Sequence, residues 1–158
     1  MHVGLDFGTT NSSAAIYDGT RVRLLNLDPV NNSPSIMRST LFINREGVPF
    51  IGRAAINHFT ESNVGREIEY EWRYLGEQEL TLAEVGTVMQ ALYAVVDANA
   101  PGRLFQSLKT HLRDSSFTGT DVFGTRYTLE TLIAVVLRII LQRIEAEIGQ
   151  PVTSMVLG

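Results

Sequence analysis

Apolar and polar residues alternate singly at the start of the chain. Val3, Leu5 and Phe7 are separated by Gly4 and Asp6, the two-residue period of a strand with one buried face. Gly8-Thr9-Thr10-Asn11 reads as a turn, and Ser13–Tyr17 resumes the extended pattern. Asp18-Gly19 is a hairpin signal that leads into a third strand, Val22–Leu27. Residues 1–27 therefore predict an antiparallel meander of three short strands. A polar loop, Asp28–Pro34, follows. Ser39–Ile43 and Pro49–Ile51 are strand-like on either side of Glu46-Gly47, and Arg53–Thr60 suits a short helix. In Glu67–Tyr74, Ile68, Tyr70 and Trp72 alternate with charged residues, which predicts a strand.

The period then changes. Leu82, Val85, Val88, Met89, Leu92, Val95 and Val96 recur at three and four residues, the spacing of one helical face. Thr81 and Glu84 have the spacing of a capping box, and Pro101-Gly102 forms a stop. The pattern predicts a helix over Leu82–Ala98. Asp121–Thr128 reads as a hairpin turning at Phe123-Gly124. Leu129–Ile148 is the longest predicted helix. Thr128 is its cap, Glu130 suits the positive end of its dipole, and Gly149 with Pro151 ends it. Its middle is apolar on most sides, which predicts burial. Val152–Leu157 reads as a further strand. A helix followed by a strand is half of an alternating unit. A chain ending at Gly158 is therefore expected to leave a strand edge and a helix face without partners.

Composition narrows the class. The chain has 158 residues, 44% hydrophobic and 19% charged, a globular balance with room for one good core. Thirteen Lys and Arg against seventeen Asp and Glu give a net charge of −4. That argues against a nucleic-acid partner, which normally meets a basic surface. With no Cys, disulfide frameworks, thiolate-ligated metals and thiol nucleophiles are excluded, and a reducing cytoplasmic setting fits. Asp6 stands where a signal peptide needs an apolar core, and Arg138 interrupts the longest apolar run, Leu132–Leu141. A membrane span needs about 20 apolar residues. The expectation is a soluble cytoplasmic protein with no membrane partner.

The strongest local chemistry lies in Asp6-Phe7-Gly8-Thr9-Thr10-Asn11-Ser12. A strand delivers a carboxylate, expected to point inward, and Gly8 permits a tight turn. The small residues that follow leave amide N–H groups and hydroxyls available to phosphate oxygens. Asp6 can hold Mg²⁺ directly or through water. The same residues also suit an ordinary hairpin in which Thr and Asn satisfy their own turn. Local chemistry weighs these two readings about evenly. The Lys of a P-loop is missing. His2, His58 and His111 lack metal-ligand spacing, and the scattered acids from Glu67 to Glu79 read as a solvated face.

The stretch VGLDFGTTNSSAAIYDG resembles the first phosphate loop of the actin-like ATPase superfamily, which includes sugar kinases, actins and DnaK-type heat-shock chaperones. Its GTTNS spelling is most like the chaperones. Further stretches agree in order. Asn32-Ser33-Pro34-Ser35 resembles the family's Pro-Ser segment, and Pro49–Ala55 its VGxxA segment. Leu104–Lys109 resembles the stretch carrying the catalytic lysine, and Gly149–Val156 the helix exit and strand before its ITVPA segment. Residues 60–103 match poorly, and VLG stands where chaperones read ITVPA. The chain is similar to a divergent, chaperone-like member. It lacks the family's second phosphate loop, adenosine segment and second lobe.

The resemblance implies an α/β fold of the actin-like, ribonuclease-H type, incomplete, with an inserted α+β subdomain. Residues 1–27 and 124–158 would form the core, and residues 28–123 the insertion. It implies binding and hydrolysis of Mg-ATP in the complete protein, with client proteins and co-chaperones as partners. Asp6 would hold the Mg²⁺ cluster, and Gly8, Thr9, Thr10 and Asn11 would contact the phosphates of ATP or ADP. Lys109 would act at the γ-phosphate, where an ammonium offsets developing charge. The bland alternative for Lys109 is a surface lysine on a short helix. As an N-terminal fragment, the chain is expected to be a poor ATPase that binds nucleotide weakly and self-associates. Two other functions stay open: a small-molecule kinase of the same superfamily, and a nucleotide-binding or interaction module without catalysis.

Overall fold

The computed structural model describes residues 2–84, 86–114 and 117–158. The architecture is mixed α/β and mostly strand. Two compact units divide the chain: residues 1–64 with 101–158, and residues 65–100.

In the first unit, strands β1 (His2–Phe7), β2 (Asn11–Tyr17) and β3 (Val22–Leu24) form the expected antiparallel meander. The third strand stops short of the predicted Leu27. The Leu25 N–H still donates to the Ala14 carbonyl of β2 at 2.8 Å, and Leu25 and Leu27 are both fully buried, which anchors the following loop. Strand β4 (Met37–Arg38) pairs with the start of β2. Strands β5 (Thr40–Asn44) and β6 (Pro49–Ile51) form the hairpin predicted at Glu46-Gly47, where Gly47 has φ +79. Helix α1 (Arg53–Asn63) follows.

Asp28 ties these pieces together. It is fully buried, and its carboxylate accepts the Arg53 N–H at 2.7 Å at the start of α1. A Cβ on Gly52 would lie 2.4 Å from that carboxylate oxygen, so only glycine permits the approach.

After residue 100 the chain returns as β9 (Gly102–Gln106), which pairs with β5. A 3₁₀ turn over Leu108–Arg113 comes next, then the hairpin β10 (Thr120–Val122) and β11 (Thr125–Tyr127). Its turn falls at the predicted Phe123-Gly124, where both residues have positive φ, as a two-residue hairpin loop requires.

Helix α2 (Leu129–Ile148) has the predicted ends. The Thr128 hydroxyl accepts the Thr131 N–H at 3.2 Å, and Gly149 closes the helix at φ +70. Leu129, Leu132, Val136, Ile140 and Ile144 form its buried stripe, while its other large apolar residues are only half-buried and Ala134 and Ala146 are exposed. They pack with Val3, Leu5, Phe7, Ala14 and Ile16 from one face of the sheet. Strand β12 (Ser154–Leu157) then pairs parallel to β1. The main sheet order is β12-β1-β2-β3. Arg143 on α2 donates to the Leu27 carbonyl at 2.6 Å. Burial lowers the pKa of its guanidinium, against which the Asp28 carboxylate acts. No helix among the described residues is long and apolar enough to cross a membrane.

The second unit overturns one prediction. Residues 82–98 do not form a helix. Strands β7 (Tyr70–Leu82) and β8 (Gly86–Asp97) form a long antiparallel hairpin. Glu84, read as half of a capping box, lies in the connecting turn, and Gly86 has φ +84. Val85, assigned to the apolar helical face, lies outside the described residues. The periodicity was ambiguous because apolar residues occupy both faces of β8. Thr87, Val88, Tyr93, Val95 and Val96 are β-branched or aromatic types, which favour the pleated conformation. At the base of the hairpin Arg66 pairs with Asp97 and donates to Asn99. The hydrogen bond and charge of Asp97 raise the Arg66 pKa.

Candidate functional site

The loop between β1 and β2 is held from outside by one residue. The Ser39 hydroxyl donates to the Gly8 carbonyl at 2.7 Å, and the Ser39 N–H donates to the Thr10 carbonyl at 2.9 Å. Ser12, buried, lies 3.0 Å from the Ser39 hydroxyl. Strand β4 fixes this clamp by pairing Asn11 with Arg38 and Ser12 with Met37. The carbonyls of Gly8 and Thr10 are thus engaged. Among the described residues no hydrogen bond takes up the amide N–H of Thr9 or Thr10. Gly8 is required by the turn itself, because a Cβ there would lie 2.3 Å from the Asn11 carbonyl oxygen.

Thr9 and Thr10 line a small polar pocket of about 200 Å³ with Arg38, Ser39, Arg53 and Ser107. Arg38 comes from β4, Arg53 from the first turn of α1, and Ser107 from the link after β9. Three segments distant in sequence therefore converge on the loop. Two guanidinium groups line the pocket, and no carboxylate does among the described residues. The balance suits an anion, for which arginine provides forked donors. Ser107 has φ +55, a left-handed conformation uncommon for a non-glycine residue. Its N–H donates to the Ser39 carbonyl at 3.4 Å, so the strained link and the clamp are one assembly.

Asp6 departs from the inward orientation expected of it. Val3, Leu5 and Phe7 take the buried face of β1, so strict alternation puts Asp6 on the exposed face. There it is opposite Ser13 in the ladder and one strand residue from the loop. Lys109 lies in the 3₁₀ turn, half-buried, with Leu108 fixing that turn in the core. Its Nζ donates to the Gly158 carbonyl at 3.4 Å, and the Gly158 N–H donates to the Leu5 carbonyl at 2.9 Å. This chain of bonds brings Lys109 to the end of β1 that carries Asp6. Lys109 is not among the residues that line the pocket of Thr9 and Thr10.

No group of three or more His, Asp or Glu is gathered for a metal among the described residues. The exposed carboxylate of Asp6 beside the Gly8–Asn11 loop still fits Mg²⁺, which usually keeps several waters and takes only one or two protein carboxylates. Sequence reasoning missed Arg38, Ser39, Arg53 and Ser107. The loop motif has no local spacing to any of them. Only the pairing of β4 with β2, and of β9 with β5, assembles the set. No known family model matches the chain, and no curated protein matches it significantly.

Proposed function

We propose that this chain binds the phosphate end of Mg-ATP through the loop Gly8–Asn11, as the N-terminal part of a heat-shock-chaperone-like ATPase with the actin-like fold. The observation that carries the reading is the pocket in which Thr9 and Thr10 meet Arg38 and Arg53, with no opposing carboxylate among the described residues. The sheet supports it. An antiparallel meander followed, after a helix, by a strand parallel to β1 gives the order β3-β2-β1-β12, the order of the ribonuclease-H-type core. That is an argument by fold analogy, and the loop supplies the chemistry.

In this reading the amides of Thr9 and Thr10 and their hydroxyls donate to phosphate oxygens, and the arginines offset their charge. Asp6 holds the Mg²⁺ waters. When bound, the ion neutralises charge on the triphosphate. Lys109 stands at the end of β1 to act on the transferred phosphoryl group in the complete protein, whose hydrolysis needs ligands on every side of the nucleotide. Client proteins and co-chaperones are then partners of that complete protein.

Amide resonances of the 158-residue chain titrated with Mg-ATP test the reading. Gly8–Asn11, Ser39 and Ser107 are expected to shift together. The Arg38→Ala/Arg53→Ala variant should need about tenfold more nucleotide, equivalent to one charge-assisted hydrogen bond. Unmoved loop resonances at millimolar Mg-ATP, or a titration indifferent to the arginines, would overturn it.

A further inference from the structure

We infer that the cavity between the Asp28–Pro34 loop and the end of α2 binds a small apolar molecule through a carboxamide group, which donates to Asp28 and accepts from Arg143. The cavity measures about 710 Å³, within the range of about 300–1,000 Å³ for small-molecule sites. It shares no lining residue with the pocket of Thr9 and Thr10.

Three elements build it. Pro29, Val30 and Pro34 come from the loop after β3, Ala54 from the first turn of α1, and Ala146 from the end of α2. The loop holds its own shape. The Asp28 N–H donates to the Pro34 carbonyl at 2.9 Å, and the Asn31 N–H to the Asp28 carbonyl at 2.9 Å. The Asn31 side-chain amide donates to the Ile36 carbonyl at 2.6 Å. Two prolines with fixed φ stiffen it further. A wall formed in advance spares a ligand the cost of ordering it.

Asp28 and Arg143 are the polar groups of this wall that call for a partner. Asp28 is fully buried. Its Oδ2 accepts the Arg53 N–H, but its Oδ1 accepts no hydrogen bond among the described residues. A buried carboxylate oxygen without a donor costs free energy. Arg143 donates through Nη1 to the Leu27 carbonyl, which leaves the N–H groups of Nε and Nη2 for a ligand. No ion pair joins Arg143 to Asp28 among the described residues. Glu147 makes no such demand, because its two oxygens accept from Arg23 and the Asn26 N–H. The site therefore needs one group that donates on one side and accepts on the other. An ammonium would meet the guanidinium, and a carboxylate would meet Asp28. A neutral carboxamide satisfies both, and an apolar body attached to it covers the prolines, Val30 and the alanines.

Benzamide is the probe, with benzoate as an acceptor-only control and benzamidine as a donor-only control. In amide spectra of the 158-residue chain, benzamide in the millimolar range should shift Val30, Ala54 and Ala146. Arg53 should shift with them, because its N–H bonds the other oxygen of the same carboxylate. Benzoate and benzamidine should bind at least about tenfold more weakly, the loss of one hydrogen bond to a charged group. Ala146 is exposed, so Ala146→Phe should fold normally, occlude the cavity and abolish the shifts. Arg143→Met, with folding checked by circular dichroism, should erase the preference for benzamide over benzamidine. Resonances indifferent to about 20 mM benzamide, equal affinity for the three probes, or unaltered binding by Ala146→Phe would each overturn the inference.

Discussion

At the scale of single residues, the loop is a steric and hydrogen-bonded object before it is a chemical one. A Cβ at position 8 meets the Asn11 carbonyl oxygen at 2.3 Å, and Ser39 holds the turn from the other side. Gly8→Ala is expected to cost about 1–3 kcal/mol, the range for forced overpacking, measured by denaturant unfolding. It should also abolish the nucleotide-induced shifts. Asp6 behaves differently because it is exposed on an open sheet face. Asp6→Asn should leave the unfolding midpoint of the chain nearly unchanged yet lower Mg-dependent ATP hydrolysis in the complete protein. Unchanged turnover in a folded variant would remove Asp6 from the metal site. Lys109→Ala should lower kcat more than nucleotide affinity, as for a group acting mainly in the transition state. Equal kcat would return it to an ordinary lysine that bonds the Gly158 carbonyl.

At the scale of elements, α2 and β8 show when periodicity decides and when it does not. For α2 the apolar stripe, the Thr128 cap and the Gly149 stop all agree, and the helix runs from Leu129 to Ile148 as predicted. Thr128→Ala should cost about 1 kcal/mol through the lost cap. Glu130 adds a pH signature. Its hydrogen bond to the Thr128 hydroxyl holds its carboxyl below the usual carboxylate range. A depressed folded pKa gives stability that is present above the ordinary carboxylate pKa and lost as pH falls through the folded value. Unfolding free energies measured from neutral pH down to acid should therefore fall less steeply for Glu130→Gln than for the unaltered chain. In β8 the helical spacing competed with β-branched residues and with Gly86 at φ +84. A strand paired along its length to β7 took precedence over a local capping box.

At the scale of the whole molecule, stability rests on α2 against one face of the meander. Leu132 and Ile140 are fully buried in that layer. Leu132→Ala and Ile140→Ala should each destabilise by about 2–5 kcal/mol, read by urea unfolding of the first unit. The charge is unevenly divided. The second unit, with two arginines against six glutamates and one aspartate, holds −5 and the whole chain −4, which leaves +1 for the first. The acidity that argued against a nucleic-acid partner therefore belongs to the second unit. The unit carrying the loop, Arg38 and Arg53 is close to neutral.

The strands of the meander, the Phe123-Gly124 turn and both ends of α2 were legible in the sequence, because each is set by residues within a few positions of one another. So was the loop at Gly8, whose steric demand arises three residues away at Asn11. What only the tertiary structure decided is which distant segments meet. Arg38, Arg53 and Ser107 reach Thr9 and Thr10 through strand pairings that span up to 66 positions, from Thr40 to Gln106. Asp6 is exposed because Val3, Leu5 and Phe7 take the buried face of β1, which the apolar alternation itself implied against the inward orientation expected of the carboxylate. The β7–β8 hairpin was beyond local reading. Its apolar residues satisfy two periodicities, and hydrogen bonding across the whole length of a partner strand resolved the choice.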